Sequence, residues 1–152
     1  LENVTLDEAN LTAAYLWQAN LDSAYLIQAT LVRTDFTRAY LKSAKLIYTD
    51  LNQAILNGAN LCGVRLDAAI LHQTSLIGAN LMGASLVETK LNHADFQGAD
   101  LTDAFFQSCD LTTTNLAETT LTGASFEMVT LTQAQYDDLK SRGANLVDVN
   151  IV

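Results

Sequence analysis

Residues 76–86 read Leu76-Ile77-Gly78-Ala79-Asn80-Leu81-Met82-Gly83-Ala84-Ser85-Leu86, placing a leucine at every fifth position. Followed outward, the spacing holds from Leu1 to Leu131, and all 27 positions in that series are Leu or Phe. The four Phe are Phe36, Phe96, Phe106 and Phe126. Two residues before each later centre stands a small side chain, as in Ala9, Ala14, Thr34 and Ala39; from Val4 to Ala134 this slot holds only Ala, Thr, Val or Cys109. The residue immediately before a centre is often Asn or Asp, as at Asn10, Asn20, Asp35, Asn60 and Asp95.

No straight element can use this period. A helix turns about 100° per residue, so five residues leave about 140° of drift and the leucines would spiral around all sides. A flat strand alternates faces, and an odd spacing would send successive leucines to opposite faces. A chain that turns a corner every five residues keeps them all inside. Each short side then points a Leu and a small residue inward and three residues outward, an all-β solenoid around a leucine column.

The number of corners per turn comes from slower periods. Gly58, Gly78 and Gly98 are spaced by 20, as are Gly63, Gly83, Asp103 and Gly123 in one slot. Corners that need positive φ favour glycine. Thr34, Thr74 and Thr114 recur by 40, and Phe106 and Phe126 by 20. The expected coil has four sides of five residues, with residues 20 apart stacked at strand spacing. About seven such coils make a rod roughly 30–35 Å long.

Units such as Ala9-Asn10-Leu11, Ala59-Asn60-Leu61, Ala79-Asn80-Leu81, Ala94-Asp95-Phe96 and Ala99-Asp100-Leu101 resemble the pentapeptide-repeat family, also called repeated-five-residue proteins. The resemblance covers residues 1–135 and implies a right-handed quadrilateral β-helix. The repeat style is similar to that of cyanobacterial members. After Leu131, Thr132-Gln133-Ala134-Gln135 reads as a capping box, and Tyr136, Leu139 and Lys140 follow at helical spacing. The spacing predicts a short helix over about 133–142, ended near Arg142-Gly143, then a terminal strand through Leu146 and Ile151. Residues 136–152 are expected to cap a repeat domain of residues 1–135 as one unit, because a solenoid end exposes core and strand edge. Leu1 begins in mid-pattern, so removed residues or a partner chain are expected to cover that end.

The 152 residues suit one domain, with 49% hydrophobic and 16% charged residues, no proline and a formal charge of −9. That is too apolar for disorder, and no run of about 20 apolar residues is present to span a membrane. The negative charge argues against nucleic-acid binding, which needs clustered Lys and Arg. Compartment stays open between the cytoplasm and a lumenal or periplasmic space reached through a removed leader.

Little in the pattern carries catalysis. The inward column is filled. Cys109 takes an inward slot, and Cys62 should point outward, so the pair is not expected to form a disulfide. His72 and His93 fall on one side, one coil apart, but no third ligand accompanies them. No nucleophile elbow, phosphate loop or His-Glu-x-x-His is present. We expect a non-enzymatic protein with no metal or cofactor, acting on another protein, with a homodimer among the admissible assemblies.

Two surfaces are candidates for that contact. The side centred on Leu26 and Leu46 presents Tyr25, Ile27, Lys45, Ile47 and Tyr48, with Ile27 over Ile47. Apolar, aromatic patches of this kind mark protein-binding surfaces. The second is acidic: Leu91 to Leu139 carries eight acids, among them Asp95, Asp100, Asp103 and Asp110, and no Lys or Arg. Some pentapeptide-repeat members resemble DNA in shape and charge and bind DNA gyrase in its place. The resemblance therefore offers a second expectation, a DNA-mimic inhibitor of gyrase or topoisomerase. The acids are spread over all four expected sides, and a helix-capped C-terminus differs from the end-to-end pairing of those members.

Overall fold

A computed structural model describes residues 1–152. Every β-bridge and every strand pair joins parallel residues 20 apart, from Thr5↔Tyr25 through Asp110↔Thr130 to Leu131↔Ile151. Most rungs are single bridges. Longer strands form toward the C-terminus: β1 (Ser85–Val87), β2 (Phe105–Gln107), β3 (Ser125–Glu127), β4 (Thr130–Leu131), β5 (Asn145–Val147) and β6 (Asn150–Ile151). They make a four-stranded sheet β1-β2-β3-β5 and a two-stranded sheet β4-β6. The architecture is of β-helix type.

The backbone closes on itself by a repeating rule. Around Leu76, its amide donates to Asp95 O at 2.7 Å, Gly78 N to Gln97 O at 2.9 Å, and Asn80 N back to Ala59 O at 2.9 Å. Ala79 N closes the local turn onto Leu76 O at 3.0 Å. Three amides in five thus bind neighbouring coils and one makes the corner. The same pattern recurs along the rod.

The second residue after each centre sits at the corner with positive φ, from Asn3 to Met128, with Thr113 the one exception. A β-branched side chain is least tolerant of that region. All seven glycines lie at positive φ, yet 20 non-glycine residues do too, including Ala13, Arg38 and Gln73. Glycine eases the corner without being required there, because inter-coil hydrogen bonds on either side of it hold the backbone in place.

Inside, the centres and the small slots are almost wholly excluded from water from Leu21 to Leu131. The six buried Thr each donate a hydroxyl to a leucine carbonyl, as Thr74 does to Leu51 O at 2.8 Å and Thr114 to Leu91 O at 3.0 Å. A small polar residue is therefore admitted wherever a carbonyl can accept from it. Phe106 and Phe126 stack with ring centroids 4.8 Å apart, matching the strand spacing of the coils that carry them. Phe96 meets Phe106 edge-on at 6.2 Å.

The helix α1 (Gln133–Ser141) starts at Thr132 with a complete capping box, Gln135 N donating to Thr132 Oγ1 and Thr132 N to Gln135 Oε1. Gln135 Nε2 also donates to Leu111 O at 2.7 Å and Thr114 O at 3.2 Å. Arg142 donates to Leu116 O at 3.1 Å and Thr119 O at 2.9 Å. Thr114 O and Thr119 O receive no amide from a following coil, whereas Leu111 O and Leu116 O already accept from Thr114 N at 2.9 Å and Thr119 Oγ1 at 2.9 Å. Leu139 is the residue that α1 buries. Two strands, β5 and β6, follow it rather than one. No helix is long and apolar enough to cross a membrane.

Gly78 has φ +63° and nothing within 4 Å of where a Cβ would sit. Gly78→Ala should therefore cost about 1 kcal/mol from backbone strain alone. A denaturant-midpoint measurement checks this; a neutral result would mean the corner relaxes.

Candidate interaction surfaces

The residues singled out on the first surface share one side of the rod. Tyr25 and Lys45 are bridge partners, and the Lys45 ammonium lies 4.4 Å from the Tyr25 ring centroid. That cation–π contact flattens the lysine stem along the coil surface. Ile27 and Ile47 occupy one column, Gln28 N bonding Ile47 O at 3.0 Å between their coils. Both are half-buried, whereas Tyr48 at the next corner is 62% exposed. Arg65 continues the Lys45 column and pairs with Asp67 at 2.8 Å. Trp17, Tyr15 and Tyr40 are exposed as well, but on other sides.

The acids of the second surface are not gathered. Asp95, Asp100 and Asp103, and Asp110 precede or follow the centres Phe96, Leu101 and Leu111, which belong to three different sides. Three of the four carboxylates have a local duty. Asp95 Oδ1 accepts from Gln97 N at 3.0 Å, Asp100 Oδ1 from Thr102 N at 2.9 Å and Asp110 Oδ1 from Thr112 N at 2.9 Å. Asp103 is exposed at a corner, its carboxylate lying where a Cβ on Gly123 would be.

Those bonds belong to a rule that sequence reasoning missed. The amide just after each centre is the one in five that finds no backbone acceptor. Asn or Asp before the centre supplies one, the side-chain oxygen taking the amide two residues on. The pattern occurs at Asn10, Asn20, Asn60, Asn80 and Asn115 and equally at Asp35, Asp50, Asp95, Asp100 and Asp110. Elsewhere a side chain one coil earlier does it, as Asp7 does for Ile27 N at 2.7 Å and Asn57 for Ile77 N at 3.1 Å. The recurrent Asn/Asp before a centre was the available signal.

The remaining groups do not converge. His72 is half-buried with Nδ1 unpartnered, His93 is exposed, and no group of three His, Cys, Asp or Glu could hold a metal. A groove of about 420 Å³ lies between Thr114–Glu118 and α1. Its cation, Arg142, is already committed to Asp138 at 2.7 Å and to the carbonyls above. Both cysteines are free. Cys109 is buried and its Sγ donates to Leu86 O at 3.0 Å, the bond a Thr makes in this slot.

A profile of the pentapeptide repeats matches eight copies, in overlapping stretches from residue 5 to residue 135. The chain belongs to the pentapeptide-repeat family. Among solved structures, it is similar to trypsin-treated QnrB1, a plasmid-mediated fluoroquinolone resistance protein, at 19% identity and TM-score 0.54, over 100% of this chain and 88% of that one. That likeness shows the fold alone. It is also similar to HetL, a pentapeptide repeat protein involved in heterocyst differentiation regulation from the cyanobacterium Nostoc sp., at 25% identity and TM-score 0.33, over 84% of this chain and 74% of that one. A pentapeptide repeat protein of the Arabidopsis thaliana thylakoid lumen matches at 25% identity and TM-score 0.35, over 63% and 67%. A search of curated proteins finds no match.

Burial pushes the Cys109 thiol from 9.0 up to about 11, against the lowering effect of backbone hydrogen bonds. Because the folded value is raised, the contribution is intact below pH 9 and is lost as pH climbs toward 11. A thiol reagent at pH 8 should therefore label Cys62 in the native pentapeptide-repeat rod and Cys109 only after unfolding. Labelling of both in the native state would mean that coil opens readily.

Proposed function

We propose that this chain is a non-catalytic interaction module whose rigid rod presents a patterned surface to another protein, through Tyr25, Ile27, Lys45, Ile47 and Tyr48. The observation that carries this reading is the stacked Ile27–Ile47 pair held beside Tyr25, Lys45 and the exposed Tyr48 on one side. Half-buried β-branched residues do suit a strand ladder. The rigid, ready-made ladder adds aromatic area that would need no ordering on binding. The rod is read as a right-handed quadrilateral β-helix of about seven coils, by strand spacing. Residues 136–152 are read as its C-terminal cap, within one domain with residues 1–135.

The double variant Ile27→Ser/Ile47→Ser tests the module. Proximity labelling in the source cell should lose its main protein partner while the thermal melt shifts by only a few degrees, as for mild surface changes. Collapse of the melt with the partner retained in other patch variants would make these residues structural only.

A second reading, an acidic DNA-mimic inhibitor of gyrase or topoisomerase, is favoured by the stretch from Leu91 to Leu139 with its eight acids and no base. The scatter of Asp95, Asp100, Asp103 and Asp110 over three sides and the local duties of three of them count against it. The Asn substitutes for Asp95, Asp100 and Asp110 keep the amide bond and remove the charge, which isolates the electrostatic part. Gyrase supercoiling inhibited near micromolar protein, and relieved by the four Asp→Asn changes, would support mimicry. Absence of inhibition at far higher protein would sink it for the enzyme tested.

A further inference from the structure

We infer that the wall of the rod carries one built-in slot, between Thr89–His93 and Cys109–Thr113, where the coils beyond flex against the coils before, and that Thr113 sets it. This goes beyond the interaction-module reading and does not depend on it.

The rungs of the wall run without a gap from Thr5↔Tyr25 to Ser85↔Phe105. The next rung, Lys90 with Asp110, is missing, and pairing resumes with Asp95↔Asn115 and Asp100↔Thr120. All three regular inter-coil bonds of this side are absent. Leu91 N makes no bond to Asp110 O, Asp110 N none to Thr89 O, and His93 N none to Thr112 O. One coil earlier the equivalent bonds are made: Leu71 N to Lys90 O at 2.8 Å, Lys90 N to Ala69 O at 3.0 Å and Gln73 N to Asn92 O at 3.0 Å. One coil later, Leu111 N reaches Thr130 O at 3.0 Å and Thr130 N reaches Cys109 O at 2.9 Å. The neighbouring sides are closed, by Glu88 N to Gln107 O at 2.8 Å and by Phe96 N to Asn115 O at 2.9 Å. The slot is one side wide and one coil deep.

Its cause lies at the corner. From Asn3 to Met128, Thr113 is the one β-branched residue in the corner position, and the one corner without positive φ. Branching at Cβ disfavours that backbone region. At every intact corner the positive φ accompanies a carbonyl turned toward the preceding coil. Here that acceptor is replaced by a side chain, His93 N donating to Thr113 Oγ1 at 3.0 Å. The displaced chain then misses both bonds at Asp110.

Nothing else ties the two lips together. Lys90 and Asp110 are exposed and make no ion pair, and the Asp110 carboxylate is turned to Thr112, accepting from its N at 2.9 Å and its Oγ1 at 2.7 Å. Behind the lips, Leu91, Cys109 and Leu111 stay buried, so the core remains packed while the backbone wall is open. The opposite side is tied, with Leu101 N on Thr120 O at 2.9 Å and Asp103 N on Thr122 O at 2.8 Å. Stability in a solenoid is close to a sum of contacts between neighbouring coils. Three tied sides and one free side leave a single direction of easy tilt, about the Leu101–Leu121 side. The stretch without Lys or Arg begins at this slot, at Leu91. Flexing there changes the angle of the acidic coils against the coils that carry Tyr25 and Tyr48.

Amide exchange followed by NMR on the full chain tests the slot. The Leu91 and Asp110 amides should exchange about a hundredfold faster than those of Leu71 and Ile70, while Phe96 and Leu111 stay slow. Thr113→Gly supplies a residue at ease with positive φ, and should slow Leu91 and Asp110 to within about tenfold of Leu71. Spin labels test the flexing, in a chain carrying Cys62→Ser and Cys109→Thr, the latter keeping the bond a Thr makes in that slot. Labels on cysteines placed at Ala13 and Gln73 span intact coils; labels at Gln73 and Gln133 span the same number of residues across the slot. The second pair should give the broader distance distribution, and Thr113→Gly should narrow it. Slow exchange at Leu91 and Asp110 overturns the slot. Fast exchange that extends through Phe96 and Leu111 overturns it as well, because that is fraying from the end. A distance distribution that Thr113→Gly leaves unchanged overturns the flexing.

Discussion

The structure depends on one hydrogen-bonding constraint: a chain that turns every five residues must still satisfy its backbone. Buried or stacked amides without acceptors are costly, on the order of 1–3 kcal/mol each. Three of every five amides reach a neighbouring coil and a fourth closes the corner, as the bonds around Leu76 illustrate. This leaves one amide over, and most of the sequence pattern outside the leucine column answers to it. Asn80 and Asp100 serve that amide within the coil, while Asp7 and Asn57 serve it from the coil before. The leucines supply the driving force for collapse, but they do not by themselves specify where the corner falls. The small slot and the side-chain oxygen do.

The same accounting explains the two ends of the polarity range inside the rod. A Thr or Cys109 is admitted into the leucine column because a leucine carbonyl with a spare lone pair lies within reach. At the last coils the problem inverts, and Thr114 O and Thr119 O find no amide from a following coil. Gln135 and Arg142 then reach back from α1 to Leu111, Thr114, Leu116 and Thr119. Side chains substitute for a missing coil.

Much of this was legible in the sequence. The five-residue period, the 20-residue stacking and the capping box at Thr132 follow from spacing, because each is a periodic or local feature. The corner was half legible. Glycine spacing located it at Gly58, Gly78 and Gly98, but the positive φ of Arg38, Gln73 and Ala13 could not be read, since flanking inter-coil bonds rather than residue type impose it. The role of Asn and Asp before the centre was visible as a pattern without its reason. On the candidate surface, the spacing placed Tyr25, Lys45, Ile27 and Ile47 on one side, while the Lys45–Tyr25 stacking and the Arg65–Asp67 pair depend on rotamers that spacing does not encode.

The choice between Asp and Asn is where this fold leaves a surface free to carry information. Five Asn and five Asp make the same bond to the amide two residues on, so the corner is indifferent to the charge. Before Leu91 the neutral form predominates, with Asn10, Asn20, Asn60 and Asn80 against Asp35 and Asp50. Beyond it the balance reverses, with Asp95, Asp100 and Asp110 against Asn115. Corner geometry gives no reason for that change, and no cation offsets it before Lys140. The acidity of the C-terminal half is therefore an addition to the fold rather than a consequence of it. Solubility alone would be served by charge placed anywhere on the rod. Acids number eight before Leu91 and nine after it, but six cations offset the first group and only two the second, and this imbalance gives the rod a direction along its length. A surface with direction can distinguish one orientation of a neighbouring molecule from the other, and a uniformly charged rod cannot.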